Sequence, residues 1–409
     1  MKRAHFEALQ PICPVCNTAA PPGSDGWRLA IARVDRVQNG PGRKQDVKKD
    51  RKDGGKLDGE SDVKKGAPRH TEDIVEGVLH CTNSTCRREY PIIDGIPVII
   101  APLRAYIADN LLAIYRRGDL SESTESLVGD CCGVGSAFDT MRQHLSSYAW
   151  DHYGDLDPEE VEQTEGESRP GSCLRMLESG LEVAGPLPIG PILDIGCSAG
   201  RTMLDLAART GQLVLGVDLH YPSLCLASEV VRRGIVRYPR RRVGLVYDRR
   251  EFPADLPGRE NADTWVCDAT NLPFARHTFT ACIGLNMVDS VRSPVDLFAD
   301  TARVLAPGGV AMMSCPYDWS PAVTPVQAWI GGHSQRGHDR GSSAHVVRQL
   351  LTDGALPSSI SGLELEAEID NVPWHVRMHE RSIVSYKSHL VVARTQTADH
   401  PASKNRIQQ

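Results

Sequence analysis

The chain has 409 residues, 41% of them apolar and 24% charged, with a formal charge of −6. That length suits two or three domains, and the charge excludes a global attraction to nucleic acid or to an anionic membrane. The N-terminal MKRAHFEALQ leads into no apolar signal region, and no stretch approaches the roughly 20 apolar residues of a membrane helix, so a cytoplasmic protein without a membrane partner is expected.

In chain order, the first element is a cysteine framework. "PICPVCN" supplies Cys13 and Cys16, and "CTNSTCRREYPIIDGIPVII" supplies Cys81 and Cys86. Without a secretion signal, the twelve cysteines of the chain read as reduced thiols plus a metal site rather than as a disulfide framework. Two pairs of thiolates can close a tetrahedral structural zinc site and clamp the halves of a small β-ribbon together. The interval between them, about 39–68, is a closely mixed run of charges without aromatic residues; it reads as a disordered insertion, with Trp27 to Val37 and Ile74 to His80 as adjacent strands on either side. The ribbon domain is expected over 1–102.

Leu103, Ile107, Leu111, Ile114 and Tyr115 recur at helical spacing, as do Phe138, Met141, Leu145 and Tyr148, so 103–171 is expected to be a helical lid and linker segment. Its acidic end, Asp155 to Pro170, reads as a linker or exposed loop. From Ser172 the texture changes to alternating short apolar and helical runs. Strands are expected at Ile192 to Ile195, Leu213 to Val217, Thr264 to Cys267, Phe279 to Leu285, Val310 to Ser314, and near Glu364 to Asp370 and Ile383 to Ala393. The alternation predicts an α/β domain over 172–396, a seven-stranded mainly parallel Rossmann-like sheet covered by helices, with 397–409 as a disordered tail. The basic run "VVRRGIVRYPRRRVGLVYDRR" within it reads as the solvated side of a helix and loop, or as a phosphate-tracking surface.

The centre of this domain is "PILDIGCSAGRTMLDLAART", a strand, the turn Gly196-Cys197-Ser198-Ala199-Gly200 and a helix. Three chemistries compete for it. As G-x-S-x-G it is a nucleophile elbow with Ser198 attacking, which needs an acid and a histidine later in the chain, of the types Asp289 and His333 supply. As a glycine loop it could hold a dinucleotide, although the third glycine of that motif is missing. As a nucleoside pocket it would use Asp194 two residues before Gly196, Asp218 ending "LVLGVD" and Asp268 ending "TWVCD", three carboxylates at three strand ends. Together these residues resemble class I S-adenosylmethionine-dependent methyltransferases, with Ser198 in place of the middle glycine. The later "LFADTARVLAPGGVAMMSCP" is similar to that family's helix, Pro-Gly-Gly turn and fifth strand. The resemblance implies a cofactor site made by Asp194, Gly196, Cys197, Ser198 and Gly200, by Asp218 with Leu219, by Asp268 with Ala269, and by Asn286. In it Asp218 takes the ribose and Asp268 the adenine amino group.

The cysteine ribbon in turn resembles the small zinc-ribbon activator subunits of tRNA, ribosomal-RNA and release-factor methyltransferases, here fused to the catalytic partner. The C-x4-C spacing and the long insertion depart from that pattern. At the fourth strand "GLNMVDSV" stands where amino-methylating relatives carry Asn/Asp-Pro-Pro-Tyr/Phe, which shifts the expected acceptor towards a small molecule or peptide, with RNA or protein methylation and a non-catalytic cofactor-binding module as the alternatives. The segment from Tyr317 to His338, with Trp319, Trp329 and His333, is the expected acceptor wall, and His333 or Tyr317 the expected general base.

Overall fold

The computed structural model describes residues 1–21, 23–39, 72–116, 118, 120–160, 168–333 and 339–396. The expected disordered insertion, apart from Asn39, and the expected tail lie outside the described residues, as does His338. The short helices α1 (Arg3–Leu9) and α2 (Pro14–Thr18) precede an antiparallel sheet of β1 (Leu29–Asn39), β2 (Glu72–Cys81), β3 (Glu89–Ile93) and β4 (Ile96–Pro97), joined in that order. The two flanks of the insertion are neighbours, in register from Leu29 opposite Cys81 to Asn39 opposite Glu72. Between β3 and β4 the Asp94-Gly95 pair has positive φ at both positions, 51° and 73°, the conformation of the two-residue hairpin turn its sequence favours.

This small sheet shares a buried core with the rest of the chain. Phe6 of α1 packs on Trp265, with ring centroids 6.4 Å apart. Ile12 N–H donates to the Pro273 carbonyl at 2.9 Å, and Ile99 N–H to the Val266 carbonyl at 3.0 Å, where Val98 makes an isolated parallel bridge to Val266.

Helices follow: α3 (Leu103–Asp109), α4 (Leu111–Ile114), α5 (Glu122–Cys132), α6 (Ala137–Tyr153) and α7 (Ser172–Ala184). Ser121 and Ser136 cap α5 and α6, each accepting from the N–H three residues on, which fixes where these helices begin. The remaining elements alternate: β5 (Ile192–Ile195), α8 (Arg201–Thr210), β6 (Val214–Asp218), α9 (Tyr221–Arg233), β7 (Ile235–Val243), β8 (Val246–Pro253), β9 (Ala262–Val266), β10 (Phe279–Gly284), α10 (Pro294–Val304), β11 (Leu305–Cys315), α11 (Ser343–Leu350), β12 (Leu363–His379) and β13 (Ser382–Thr395).

Seven of these strands form one sheet in the order β12-β13-β11-β10-β5-β6-β9. Strands β11, β10, β5, β6 and β9 are parallel, and β13 and β12 close the other edge antiparallel. The expected sheet is thus the observed one, because strands buried on both faces carry near-continuous apolar runs. The order reverses between β5 and β10, and at such a reversal the loops following the two strands diverge and leave a crevice.

Two expectations fail. The basic run is not helix and loop throughout: Val230 to Arg233 end α9, and from Ile235 it forms the hairpin β7–β8. Several of its arginines are paired with carboxylates: Arg240, almost fully buried, bonds Asp248, Glu159 and Glu160, and Arg250 bonds Asp157. The same network corrects the reading of 155–160 as exposed linker, since Asp157 and Glu160 are buried and Glu160 also pairs with Arg377 of β12. Sequence alone marks both segments as charged; only the fold brings the opposite charges together.

Candidate functional site

The crevice is built on backbone first. At the end of β5 the turn opens at Gly196, whose φ is 71° and whose missing Cβ leaves room for Met287, so a larger residue would displace that side chain. Ser198 also takes a positive φ, 46°, the conformation that suits the glycine it replaces. Its backbone N–H donates to Asp218 Oδ2 at 2.9 Å, while His220 N–H donates to Oδ1 at 2.7 Å. A carboxylate can accept about four hydrogen bonds, so Asp218 is held rigid and still has lone pairs for a pair of hydroxyls. Burial raises its pKa, the two N–H donors opposing that rise.

Asp194 lies beneath the turn, buried, accepting the Thr202 hydroxyl at 2.6 Å; burial pushes its pKa up to about 7, with the nearby Asp218 charge adding to the rise. On β9's extension Asp268 accepts both Thr270 N–H and Thr270 Oγ1, at 2.9 and 2.7 Å, on Oδ1, which leaves Oδ2 available. Asn286 has φ 55° after β10, its N–H on Ser314 Oγ and its Oδ1 receiving the Ser388 hydroxyl at 2.8 Å. Cys197 and Ala269 are buried and Leu219 is exposed, its carbonyl accepting the Tyr106 hydroxyl. Gly200 closes the turn against Ala227 of α9. The sheet thus gathers the sequence-predicted cofactor residues at the C-terminal ends of adjacent strands β9, β6, β5 and β10.

Helix α6 covers the turn. Tyr153 donates its hydroxyl to the Ala199 carbonyl at 2.7 Å, and His152 Nδ1 accepts Arg201 N–H at 3.2 Å, an interaction that requires that nitrogen unprotonated. Burial, aided by the Arg201 charge, holds His152 down to about 3. From this helix a row of rings leads across the crevice: His220, His144 (3.9 Å between centroids), Tyr148 (4.4 Å), Trp374 (6.3 Å) and Tyr386 (4.9 Å). Tyr386 ends the row with its hydroxyl on Asp318 at 3.1 Å. Burial lowers His144 to about 4 and His220 to about 2, so both rings are neutral at pH 7, and burial raises Tyr148 to about 12. Trp374 and Tyr386 were missed by sequence reasoning; they lie on β12 and β13, where an isolated aromatic reads as ordinary strand composition.

The expected acceptor wall has another geometry. Trp319 stacks on Trp329 with centroids 5.9 Å apart, and their indole N–H groups are spent on Ser343 Oγ and the Thr324 carbonyl. His333 is exposed, its Nδ1–H donated to the Gly331 carbonyl. Tyr317 is different: its hydroxyl lies 2.7 Å from His389 Nδ1, and His389 Nε2 lies 3.1 Å from Glu368, which Arg348 binds at 2.7 Å. His389 was not foreseen. Ser198 Oγ, buried, has no hydrogen-bond partner, and thus no base to activate it as the nucleophile-elbow reading requires.

At the N-terminal sheet Cys13, Cys16, Cys81 and Cys86 converge, with all four Sγ atoms within 4.8 Å of one another. Two of the separations are Cys13 to Cys86, 3.8 Å, and Cys16 to Cys81, 3.7 Å. Four sulfurs at the zinc–sulfur bond length of about 2.3 Å form a tetrahedron with edges of about 3.8 Å. The spacing is too long for disulfides, and all four thiols are free.

The seven-stranded, mostly parallel sheet with its covering helices is the Rossmann-like fold of methyltransferases. Residues 193–313 match a family model described as a methyltransferase domain, a span from β5 to β11 that includes the whole glycine turn and Asp218, Asp268 and Asn286. The chain accordingly contains an S-adenosylmethionine-dependent methyltransferase domain. Similar solved structures include a SAM-dependent methyltransferase from Methanosarcina mazei (18% identity, 54% of this chain and 97% of that one, TM-score 0.35). Others are phosphoethanolamine N-methyltransferase 2 of Haemonchus contortus (22%, 41% and 35%, TM-score 0.28) and a geranyl diphosphate methyltransferase (19%, 54% and 77%, TM-score 0.33). No curated protein sequence matches the chain. Among the described residues no helix is long and apolar enough to cross a membrane.

Proposed function

We propose that the chain methylates a small-molecule or peptide acceptor, with the cofactor held by Asp194, Gly196 to Gly200, Asp218 with Leu219, Asp268 with Ala269, and Asn286. The observation that supports this most is Asp218, fixed by two backbone N–H groups yet with lone pairs left for the ribose hydroxyls. Asp268 Oδ2 takes the adenine amino group, and the orphaned Ser198 Oγ gains a partner from the bound ligand. When bound, S-adenosylmethionine supplies an electrophilic methyl group.

The protein's own part is to orient an acceptor and exclude water. The neutral row from His220 to Tyr386 offers a flat acceptor a stacking surface. Tyr317 is the better general base of the two expected: a proton taken by it has a path to His389 and Glu368, whereas His333 is held by a loop carbonyl. The ion pairs of Arg240, Arg249 and Arg250 weaken the argument for RNA. The four cysteines hold a structural zinc, a reading supported by their tetrahedral spacing.

The test is incubation of the purified protein with methyl-labelled S-adenosylmethionine and a cell extract, divided into nuclease-treated and size-filtered portions. Label is expected in the filtrate, in a product below a few kilodaltons. Label appearing only in nuclease-sensitive material would replace this acceptor class with RNA; cofactor binding without label transfer would leave a non-catalytic module.

A further inference from the structure

A second cavity, of about 520 Å³, lies away from the strand ends, enclosed by α4, α5, the start of α6, α9 and the hairpin β7–β8. That volume is within the range of about 300–1,000 Å³ of pockets that hold small organic molecules. Much of its wall is apolar, including Leu112, Leu120, Val128, Phe138 and Leu226.

Its polar side is unusual. Arg142, 2% exposed, forms part of the wall, and its Nε and Nη2 have no hydrogen-bond partner among the described residues. Its guanidinium lies over the rings of Phe138 and Tyr247, 4.7 and 4.1 Å from their centroids. A third element is shaped around it: a Cβ on Gly129 of α5 would lie 2.1 Å from Nη1, so the charge occupies the space that only glycine leaves. The two rings offset part of its desolvation, but they supply no counter-charge.

The carboxylates around the cavity are already committed. Glu125 pairs with Arg249, Asp248 with Arg240, and Glu229 with Arg233, while Glu122 accepts the Arg249 backbone N–H. Asp139, one turn before Arg142, accepts from Gly135 N–H, Gln143 and the Tyr247 hydroxyl. In the neighbouring network of the same hairpin, each buried arginine has its carboxylate; Arg142 alone of these is left to cation–π contacts.

We infer that this cavity is a binding site for a small apolar molecule bearing an organic oxyanion, a carboxylate or a phosphate monoester, whose charged head pairs with Arg142. A guanidinium presents planar donors matched to either head group, and an apolar body would occupy the leucine- and phenylalanine-lined remainder. The site is separate from the cofactor crevice, and the inference does not depend on which acceptor is methylated.

The test uses the whole protein in titration calorimetry with decanoate, decyl phosphate and decanol. One of the two anions is expected to bind at about one per chain and at least tenfold more tightly than decanol, and which one does so identifies the head group. In Arg142→Met, which keeps the length and apolar bulk of the side chain, that preference is expected to disappear while binding of S-adenosylhomocysteine is retained. Equal binding of anions and alcohol by the wild-type protein, or no binding of any probe at millimolar concentration, would overturn the inference. An unchanged anion preference in Arg142→Met would overturn it as well, and the wild-type comparison decides should that variant fold poorly.

Discussion

The four-stranded cysteine sheet and the seven-stranded sheet contrast in what fixes them. The large sheet needs nothing but its sequence of apolar strands: β5, β9 and most of β10 and β11 are buried on both faces. The small sheet is shallow, its strand β1 mostly exposed and its last strand two residues long, and its ends meet at four sulfurs. One is specified by many weak contacts, while the other also gathers four sulfurs at one point, so they should fail under different insults.

The largest effect should come from attacking the sulfurs. Structural zinc contributes on the order of 10 kcal/mol to the folding of small sites. Cys81→Ser is therefore expected to lose one zinc per chain by elemental analysis and to expose the β1–β4 region to hydrogen exchange, with β5 and β10 still protected. Loss of protection throughout would mean that the two sheets are one cooperative unit.

Next in size is a break in the buried charges that tie the hairpin to the segment after α6. Asp157→Ala strands Arg250 without its main buried partner, which costs about 3–5 kcal/mol. Denaturant unfolding should register that loss with zinc content unchanged. Asp218→Ala removes a charged acceptor worth about 1.5–3 kcal/mol, so S-adenosylhomocysteine should bind roughly ten- to a hundredfold more weakly by calorimetry. The same variant leaves Ser198 N–H and His220 N–H without their acceptor, so denaturant unfolding should also show a loss of about 1–3 kcal/mol.

The smallest effect is set by pH. His152 has its pKa depressed from 6.5 to about 3, so its contribution to stability is complete above pH 6.5 and is lost as the pH falls towards 3. Over the interval from pH 6.5 to 5 this amounts to about 2 kcal/mol. His152→Gln should flatten the acid limb of the stability curve by that amount, and an unchanged limb would show that another group carries it.

Much of this was legible in the sequence, for a physical reason. The strands of the large sheet announce themselves because burial on both faces leaves no room for polar interruptions, and Ile192 to Ile195 is placed to the residue. The Asp94-Gly95 turn and the cysteine pairs were equally plain, since each follows from local geometry. The hairpin β7–β8 was not legible: Arg240 in "RYPRRR" finds Glu159 and Glu160 some eighty residues earlier in the chain, Arg250 finds Asp157 at a still greater separation, and no local pattern reports such matches. For the same reason His389 escaped notice as the partner of Tyr317, because a relay between β13 and the loop after β11 exists only once the strands are paired.

The bridge from Val98 to Val266 gives the small sheet a further duty. Strand β9 is the outermost strand of the large sheet, and an uncovered outer strand offers its unpaired backbone to any other chain. Ile99 and Val98 occupy part of that margin, while Phe6 covers Trp265 beside it. The small sheet thus covers part of that margin, and a shortened chain beginning at α3 is expected to associate with itself in size-exclusion chromatography even though every strand of the large sheet is intact.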